Sequence, residues 1–210
     1  MKHVPHLYLP GPWREPALEA TGEQVAHMRR VLRIDDGSEV TYTDGVGEFG
    51  HGKWSGNSVI RGDEESRRRP GNLVLAVAPP ANRDRVRFVV EKLAEVGVES
   101  LLWLATRHGT GRVPSLQKQR GWAISALEQS RGFWLMALGE DLVGWADLER
   151  PLAACLPGEP GSEASFRTLA IGPEGGFDPG EIPKDARGVG LGETILRVET
   201  AALAAAVKFH

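Results

Sequence analysis

The chain has 210 residues, enough for one large domain or two small ones. Hydrophobic residues make up 41% and charged residues 25%, as in an ordinary globular protein, and no apolar run approaches the roughly 20 residues that a membrane-spanning helix needs. The formal net charge of -3 argues mildly against a nucleic-acid-binding protein, although local clusters of arginine carry more weight than the total.

Residues 1–70 predict a small β-rich domain. Three segments have the composition and alternation of strands: Leu7–Leu9, Ser38–Thr43 and Phe49–Ile60. The dipeptide Asp44-Gly45 is a turn signal between the last two of them. A helix is predicted to begin after Thr21, which can cap its N-terminus, and its apolar face consists of Val25, Met28 and Leu32.

A glycine pattern in this region imitates a dinucleotide-binding motif. The segment Gly45–Gly50 has the G-x-G-x-x-G spacing, but that motif requires a strand before it and a helix opening within it. The following residues, His51–Asn57, contain two more glycines and no helical period. We therefore predict a hairpin turn and reject a nucleotide site.

A charged segment, Glu64–Gly71, predicts a linker and a domain boundary near residue 70. Its three arginines join others in the N-terminal domain as a candidate phosphate-binding face: Arg29, Arg30, Arg33, Arg67, Arg68 and Arg69. Arg83, Arg85 and Arg87 lie just beyond the linker and extend this candidate set. A solvated surface with no partner explains the same residues equally well, so both interpretations stay open.

From residue 71 to residue 210 the pattern changes to alternating strands and helices, which indicates an α/β domain with a parallel sheet. Strands are predicted at Leu73–Ala78, Leu101–Leu104 and Phe133–Leu138. Helices are predicted at Val86–Val96, Ser115–Ser130 and Trp145–Leu156. Gly97 is expected to end the first of these helices.

Two glycine-rich loops near the end of the chain predict a ligand site. The apolar run Leu169–Ile171 breaks into Gly172–Phe177, and Val189–Gly192 leads toward an alanine-rich helix that begins near Val198. Glycines let the backbone approach a ligand closely, and the free N–H groups of a helix start can bind it. Either loop alone is better explained as an ordinary strand-to-helix turn, but the two together, with Glu174, Arg197 and Glu199 at their tips, favour a small-molecule pocket.

These loops closely resemble those of the RsmE family of 16S ribosomal RNA uracil-N3 methyltransferases. The matching segments are Ile171–Phe177, Leu191-Gly192 and Ile195–Ala204. The resemblance implies a SPOUT-class, trefoil-knotted methyltransferase domain over residues 71–210 and a PUA-like RNA-binding barrel over residues 1–70. It also implies S-adenosylmethionine as the cofactor, held by Leu104, Ile171, Gly172, Pro173, Glu174, Gly175, Gly176, Leu191, Gly192, Ile195, Leu196, Thr200 and Ala201.

The same resemblance implies a cytoplasmic homodimer that acts on 16S rRNA or on the assembled small ribosomal subunit. The single cysteine, Cys155, excludes an intrachain disulfide and suits a reducing compartment, and the start of the chain lacks the apolar core of a signal peptide. The histidines are scattered and have no cysteine partners, so we predict neither a metal site nor a membrane anchor.

Two loops depart from the family pattern, while Glu128-Gln129-Ser130 matches it. Residues 106–112 begin Thr-Arg-His where the family has Glu-Arg-Ser, and residues 131–134 are more apolar than the family's segment. The departures concern the RNA-side contacts more than the cofactor loops. They leave two alternatives open, a related SPOUT methyltransferase with another RNA target and a non-catalytic RNA-binding protein.

Two side chains are candidates for catalysis, Arg197 and Glu199. A uracil N3 must lose its proton before it can accept a methyl group, so a nearby cation such as Arg197 would stabilise the developing anion. A salt bridge from Arg197 to Glu174 or Glu199 that only holds the loops is the alternative. Glu199 is expected in the first turn of the last helix, where the helix dipole favours a carboxylate, so a structural role for it is equally open.

Overall fold

The computed structural model describes residues 4–69, 71–161 and 165–210. The first three residues and Pro70 of the predicted linker lie outside this range. The chain divides into two compact units. The N-terminal unit contains the chain up to the linker together with Leu127–Leu135, and the C-terminal unit contains residues 71–126 and 136–210. The roles of these units as a PUA-like and a SPOUT domain stay predictions.

The N-terminal unit is built on a five-stranded mixed sheet, which fits a small barrel. Its strands are β1 (His6–Tyr8), β2 (Ala17–Glu19), β3 (Glu39–Thr43), β4 (Glu48–Ser55) and β5 (Ser58–Ser66). The strand order is β1-β3-β4-β5-β2, with β1 parallel to β3 and the other neighbours antiparallel. The predicted strands are confirmed, and residues 64–66 of the predicted linker belong to β5 instead.

The predicted N-cap is confirmed at the start of helix α1 (Gly22–His27). The Thr21 hydroxyl accepts a hydrogen bond from the Gln24 N–H, and the Gln24 side chain accepts one from the Thr21 N–H. The helix continues as a π-helical turn, Met28–Leu32. The buried core of the unit consists of Leu7, Leu9, Met28, Val40, Tyr42, Trp54 and Val59.

The segment Leu127–Leu135 is tied to β1 and to the β3–β4 turn by polar contacts. The Tyr8 N–H donates to Glu128 Oε1 at 2.9 Å, and the Leu135 N–H donates to the Gly45 carbonyl at 2.8 Å. His6 Nε2 lies 3.1 Å from the Gly132 carbonyl oxygen. Burial lowers the pKa of His6 to about 4, so its ring is neutral at physiological pH.

The C-terminal unit contains a six-stranded sheet in which every neighbouring pair is parallel. Its strands are β6 (Val74–Val77), β7 (Ser100–Leu104), β8 (Ala137–Val143), β9 (Leu152–Cys155), β10 (Thr168–Ile171) and β11 (Arg187–Val189). The order is β11-β9-β10-β6-β7-β8. The helices are α2 (Arg83–Val96), α3 (Leu116–Ser130), which runs on past the unit's last residue, and α4 (Val198–Phe209). The predicted α/β class with a parallel sheet is confirmed.

Burial explains why the central strands are so uniformly apolar. Every residue of β6 and of β10 is buried, as expected for parallel strands covered on both faces. Helix α2 begins after Asn82, whose side chain accepts from the N–H of Asp84, and it ends at Gly97 with φ of 92°, as predicted.

Two predictions for this unit were wrong. Residues 145–156 form a single 3-10 turn, Trp145–Asp147, and then β9, where the sequence predicted a helix. A short apolar run such as Leu152–Cys155 cannot be assigned by periodicity, because a buried strand and a buried helical turn share the same composition. The strand predicted at 133–138 lies later, at Ala137–Val143.

None of the helices in the described part of the chain is long and apolar enough to cross a lipid bilayer.

Candidate active site between the glycine loops

The two glycine loops lie together and line a cleft of about 130 Å³ in the C-terminal unit. The first loop follows β10 and the second follows β11. Because parallel strands end at the same edge of a sheet, both loops meet at the carboxyl edge, where α/β proteins bind ligands.

Most of the predicted cofactor residues line this cleft. They are Ile171, Gly172, Pro173, Glu174, Gly176, Leu191, Gly192, Ile195, Leu196 and Ala201. Three lie elsewhere. Leu104 is fully buried in the core with Ala76, Leu148, Leu152 and Ala170. Gly175 faces His108, and Thr200 lines a separate groove beside α2.

A third wall of the cleft comes from the strand that the sequence did not reveal. Cys155, Leu156 and Pro157 at the end of β9 line the cleft, since β9 lies between β10 and β11 in the sheet. Burial raises the pKa of the Cys155 thiol to about 11, so it is uncharged at neutral pH. Phe177, Thr194 and Val198 also line the cleft and were not predicted.

Two glycines are required by the local geometry. A Cβ at Gly172 would lie 3.0 Å from the Phe177 ring, so a side chain there would have to push the ring back by a few tenths of an ångström. Gly192 has φ of 144°, a backbone conformation that other residues rarely adopt, and an added Cβ would meet no atom within 4 Å. The backbone angle therefore favours glycine at position 192, whereas the space beside it is open.

The second loop presents unpaired backbone donors. Within the described residues, the N–H groups of 191–196 make no backbone hydrogen bond, and the N-cap residue Arg197 gives α4 no side-chain cap. A helix N-terminus leaves its first N–H groups free, and free groups of this kind bind ligand oxygen or nitrogen atoms. The cleft thus combines hydrogen-bond donors with apolar walls at Leu156, Ile171 and Phe177.

Glu174 and Glu199 are joined through Arg85 of helix α2. Arg85 Nη1 lies 3.7 Å from Glu174 Oε1, and Arg85 Nε lies 3.4 Å from Glu199 Oε1. Glu199 lies in the first turn of α4, and its Oε2 is buried without a hydrogen-bond partner in the described residues. Glu174 and Glu199 therefore pair with Arg85 and not with Arg197, and Arg85 connects the first glycine loop to the last helix.

Arg197 is left available to a ligand. Its side chain is exposed, and it makes no hydrogen bond or ion pair with the described part of the chain. It directly follows Leu196 of the cleft wall and precedes the first residue of α4. An unpaired guanidinium beside a ligand cleft can stabilise a negative charge that develops there.

The predicted phosphate-binding arginines of the N-terminal unit divide into two groups. The first group contacts other side chains. Arg29 donates to Asn57 Oδ1 at 2.9 Å, and Arg67 pairs with Glu65 at 2.6 Å. The Arg67 guanidinium also lies 4.3 Å from the centre of the Phe133 ring, and that of Arg69 lies 5.2 Å from the centre of the Trp134 ring. Three others are exposed and make no ion pair within the described residues: Arg30, Arg33 and Arg68. In the C-terminal unit Arg87 pairs with Glu91, so it is not a free phosphate contact.

The rejected dinucleotide motif is a hairpin turn, as predicted. Asp44 Oδ1 accepts from the N–H groups of Val46 and Glu48, and Gly45 and Gly47 both have positive φ. No helix opens there, because β4 starts at Glu48. In the ranges that the structure covers, no cluster of histidine, cysteine and carboxylate side chains could hold a metal ion.

Comparison with known families gives the site its context. Residues 67–209 match the family model of the RNA methyltransferase domain. No curated protein sequence matches the chain significantly.

Solved structures of similar fold cover nearly the whole chain. A probable rRNA methyltransferase from Porphyromonas gingivalis is 26% identical, with 97% of this chain and 96% of that one covered and a TM-score of 0.80. The ribosomal RNA small subunit methyltransferase E of Neisseria gonorrhoeae, bound to S-adenosylmethionine, is 23% identical, with 98% and 96% covered and a TM-score of 0.83. A candidate methyltransferase from Legionella pneumophila, also with S-adenosylmethionine, is 24% identical, with 98% and 96% covered and a TM-score of 0.81.

The fold and the cleft define an α/β RNA methyltransferase, with a parallel sheet whose carboxyl edge carries the ligand loops. The chain belongs to the RNA methyltransferase family of the RsmE type. The resemblance carried by Ile171–Phe177 and Ile195–Ala204 is thereby confirmed.

Proposed function

We propose that the chain methylates the N3 atom of a specific uridine in 16S ribosomal RNA, with S-adenosylmethionine as the methyl donor. The observation that carries the proposal is the cleft at the carboxyl edge of the sheet, lined by both glycine loops and flanked by an unpaired arginine, Arg197. The family match and the two neighbours crystallised with S-adenosylmethionine support the choice of cofactor.

The cleft fits such a cofactor in its chemistry. The free N–H groups of residues 191–196 suit the polar edges of an adenine and a ribose, and the apolar walls suit the ring face and the aliphatic part of the methionine chain. The Glu174 carboxylate, at the rim, suits a positive charge. When bound, the cofactor supplies a methyl group on a positively charged sulfur, and the residues around it place the uracil in line with that group.

Arg197 has the role of electrostatic stabiliser in this proposal. Negative charge develops on the uracil as N3 loses its proton, and a guanidinium fixed beside the cleft interacts with that charge more strongly in the transition state than in the ground state. Glu199 is tethered to Arg85 and not to Arg197, so we assign it to holding the helix start and keep a catalytic role for it as a secondary prediction.

Finer features of the family complete the proposal. We infer a trefoil knot in the C-terminal unit, a PUA-like RNA-docking role for the N-terminal unit, a homodimer in which each subunit completes the other's site, and action in the cytoplasm on 16S rRNA or the assembled small subunit. The parallel sheet and the mixed N-terminal sheet support the two domain assignments.

Mapping of modified bases in 16S rRNA tests the function directly. We expect one N3-methylated uridine to disappear when the gene is deleted and to return when the wild-type gene is restored. The Arg197→Ala gene serves as the matched control, and it should restore little of the modification. An unchanged set of modified bases in the deletion strain would contradict the proposal.

A related methyltransferase with another RNA target is the second candidate. Residues 106–109 depart from the family pattern and pack beside the first glycine loop, where a Cβ on Gly175 would lie 3.2 Å from His108 Cβ. A change so close to the site favours a shifted RNA specificity. Loss of a modification elsewhere in the RNA, with 16S rRNA unchanged, identifies this case, whereas a non-catalytic RNA-binding protein changes no modification.

The arginine face gives a prediction about RNA affinity. Changing Arg67, Arg68 and Arg69 together to Ala should weaken RNA binding and flatten its salt dependence, since each lost phosphate contact removes about 0.7 from the slope of log K against log salt for single strands. Binding titrations at several salt concentrations measure this. A control with Arg150, Lys184 and Arg187 changed to Ala removes the same charge from the C-terminal unit and should keep the slope. Equal slopes for all three proteins mean that the face is only solvated surface.

A further inference from the structure

The proposed methyl transfer requires a base, and the cleft walls provide none. The N3–H of a uracil is a weak acid, so a positioned acceptor for its proton speeds the reaction. The ionisable residues that line the cleft are Cys155, whose raised pKa keeps it a neutral thiol, and Glu174, which pairs with Arg85. Arg197 is a cation and accepts no proton.

A histidine–aspartate pair lies at the rim of the first glycine loop. His108 follows β7 and Asp178 follows Phe177 of the cleft wall, so both come from the carboxyl edge of the same sheet. The His108 side chain packs on Gly175, where an added Cβ would lie 3.2 Å from His108 Cβ and 3.5 Å from Cγ. Gly175 stands between Glu174 and Gly176, both of which line the cleft.

The hydrogen bonds of the pair orient the ring. His108 Nε2 lies 2.5 Å from Asp178 Oδ1, and this contact, with Arg107 Nη1 at 3.4 Å from Oδ2, lowers the pKa of the Asp178 carboxyl. Glu181 fixes the pair from behind, because it accepts from the N–H groups of Arg107 and Asp178. The other ring nitrogen, Nδ1, makes no hydrogen bond in the described residues, and the side chain is half exposed.

We propose that His108, oriented by Asp178, is the base that accepts the N3 proton of the substrate uracil. The assignment rests on the proposed function and adds to it the residue that completes the proton transfer. A neutral imidazole with Nε2–H bound to a carboxylate exposes an acceptor lone pair at Nδ1. Asp178 then stabilises the imidazolium that forms, and the charged groups around the ring are Arg107, Asp178 and Glu181.

The step balances without any further reactant. The N3–H bond breaks and its proton passes to Nδ1 of His108, while the electron pair left on N3 forms the bond to the methyl carbon. The pair of the carbon–sulfur bond returns to sulfur, giving N3-methyluracil and S-adenosylhomocysteine. His108 releases the proton to water at the end of the turnover.

The pH dependence of the single-turnover rate tests the assignment. In the wild type the rate should rise with pH and then level off. In His108→Ala the rate should fall about 100-fold or more at neutral pH. The rate of this variant should keep rising with pH, because the proton then leaves to solvent. Added imidazole should restore part of the rate. Asp178→Asn should give an intermediate loss. Cofactor affinity, measured by calorimetry, should stay within about twofold in both.

A matched variant separates catalysis from loop structure. Asp185→Asn makes the same chemical change at an exposed carboxylate that pairs with Arg150 and lies outside both the His108–Asp178 pair and the cleft wall, so its rate should stay near that of the wild type and keep the same levelling. Nitrogen NMR of the free protein, without cofactor or RNA, should show the Nε2–H tautomer for His108 and lose it in Asp178→Asn.

The outcomes distinguish the two proposals. A wild type that methylates while His108→Ala matches its rate and its pH profile overturns the base assignment alone. An Nδ1–H tautomer in the free protein overturns it as well, since that ring has no acceptor to offer. A wild type that methylates no RNA at any pH overturns both the base and the proposed function.

Discussion

Arg197→Ala is expected to lower the single-turnover methylation rate about 100-fold while the cofactor dissociation constant changes little. Loss of one donor that acts mainly on transition-state charge costs on the order of 3 kcal/mol in comparable oxyanion sites. The side chain has no ion-pair partner in the described residues, so its removal breaks no contact that holds the fold. Arg197→Lys should recover only part of the rate, because an ammonium is a point charge without the planar fork of a guanidinium.

Rapid-quench kinetics with saturating cofactor and RNA, together with thermal melts, measure this. Arg187→Ala removes another exposed arginine from the same unit and should keep both the rate and the melting temperature. A normal rate constant in Arg197→Ala would end the catalytic assignment. A lowered melting temperature with a normal rate would point to a purely structural arginine.

Gly192→Val is expected to reduce S-adenosylmethionine affinity by about 10-fold or more. At φ of 144° a β-branched residue is strained by roughly 1–3 kcal/mol, and every 1.4 kcal/mol is tenfold in affinity. The two methyls would also occupy the cleft that Gly192 lines. Gly175→Val should have a smaller and indirect effect, because its Cβ meets His108 and not the cleft.

Calorimetry on the folded variants measures the affinity, with circular dichroism as the check on folding. Gly180→Val is a control with similar backbone strain, since Gly180 has φ of 77°, an added Cβ would meet nothing within 4 Å, and it lies outside the cleft. Its affinity should equal that of the wild type. Full affinity in Gly192→Val would remove the cofactor from the second loop.

Local signals in the sequence identified the parts of the fold that depend on neighbouring residues. Thr21 and Gln24 cap α1, Gly97 ends α2, and the glycine loops follow apolar strands. In each case the residues that determine the feature lie within a few positions of it. These features need one chain segment only, so capping rules and turn chemistry are enough to predict them. The resemblance to a known family supplied the cofactor and the chemistry.

Sequence patterns do not reveal features that depend on contacts between segments far apart in the chain. The strand β9 has only four residues, and its role as the third wall of the cleft follows from its place between β10 and β11, which no local pattern shows. Arg85 lies about 90 residues or more before Glu174 and Glu199 in the chain, so local patterns offer only the nearer Arg197 as an alternative salt-bridge partner for them. The burial of Leu104 likewise depends on residues that are distant in sequence, such as Leu152 and Ala170.

The placement of Leu127–Leu135 has a consequence for how the molecule can be divided. A gene cut at the linker would leave this segment attached to the C-terminal fragment, while its hydrogen-bond partners at His6, Tyr8 and Gly45 stayed on the other. The N-terminal unit therefore cannot be separated by one cut at the linker. Such a cut would break the hydrogen bonds between Leu127–Leu135 and the rest of the unit. Evolutionary exchange of the N-terminal unit would have to replace two stretches of the gene at once.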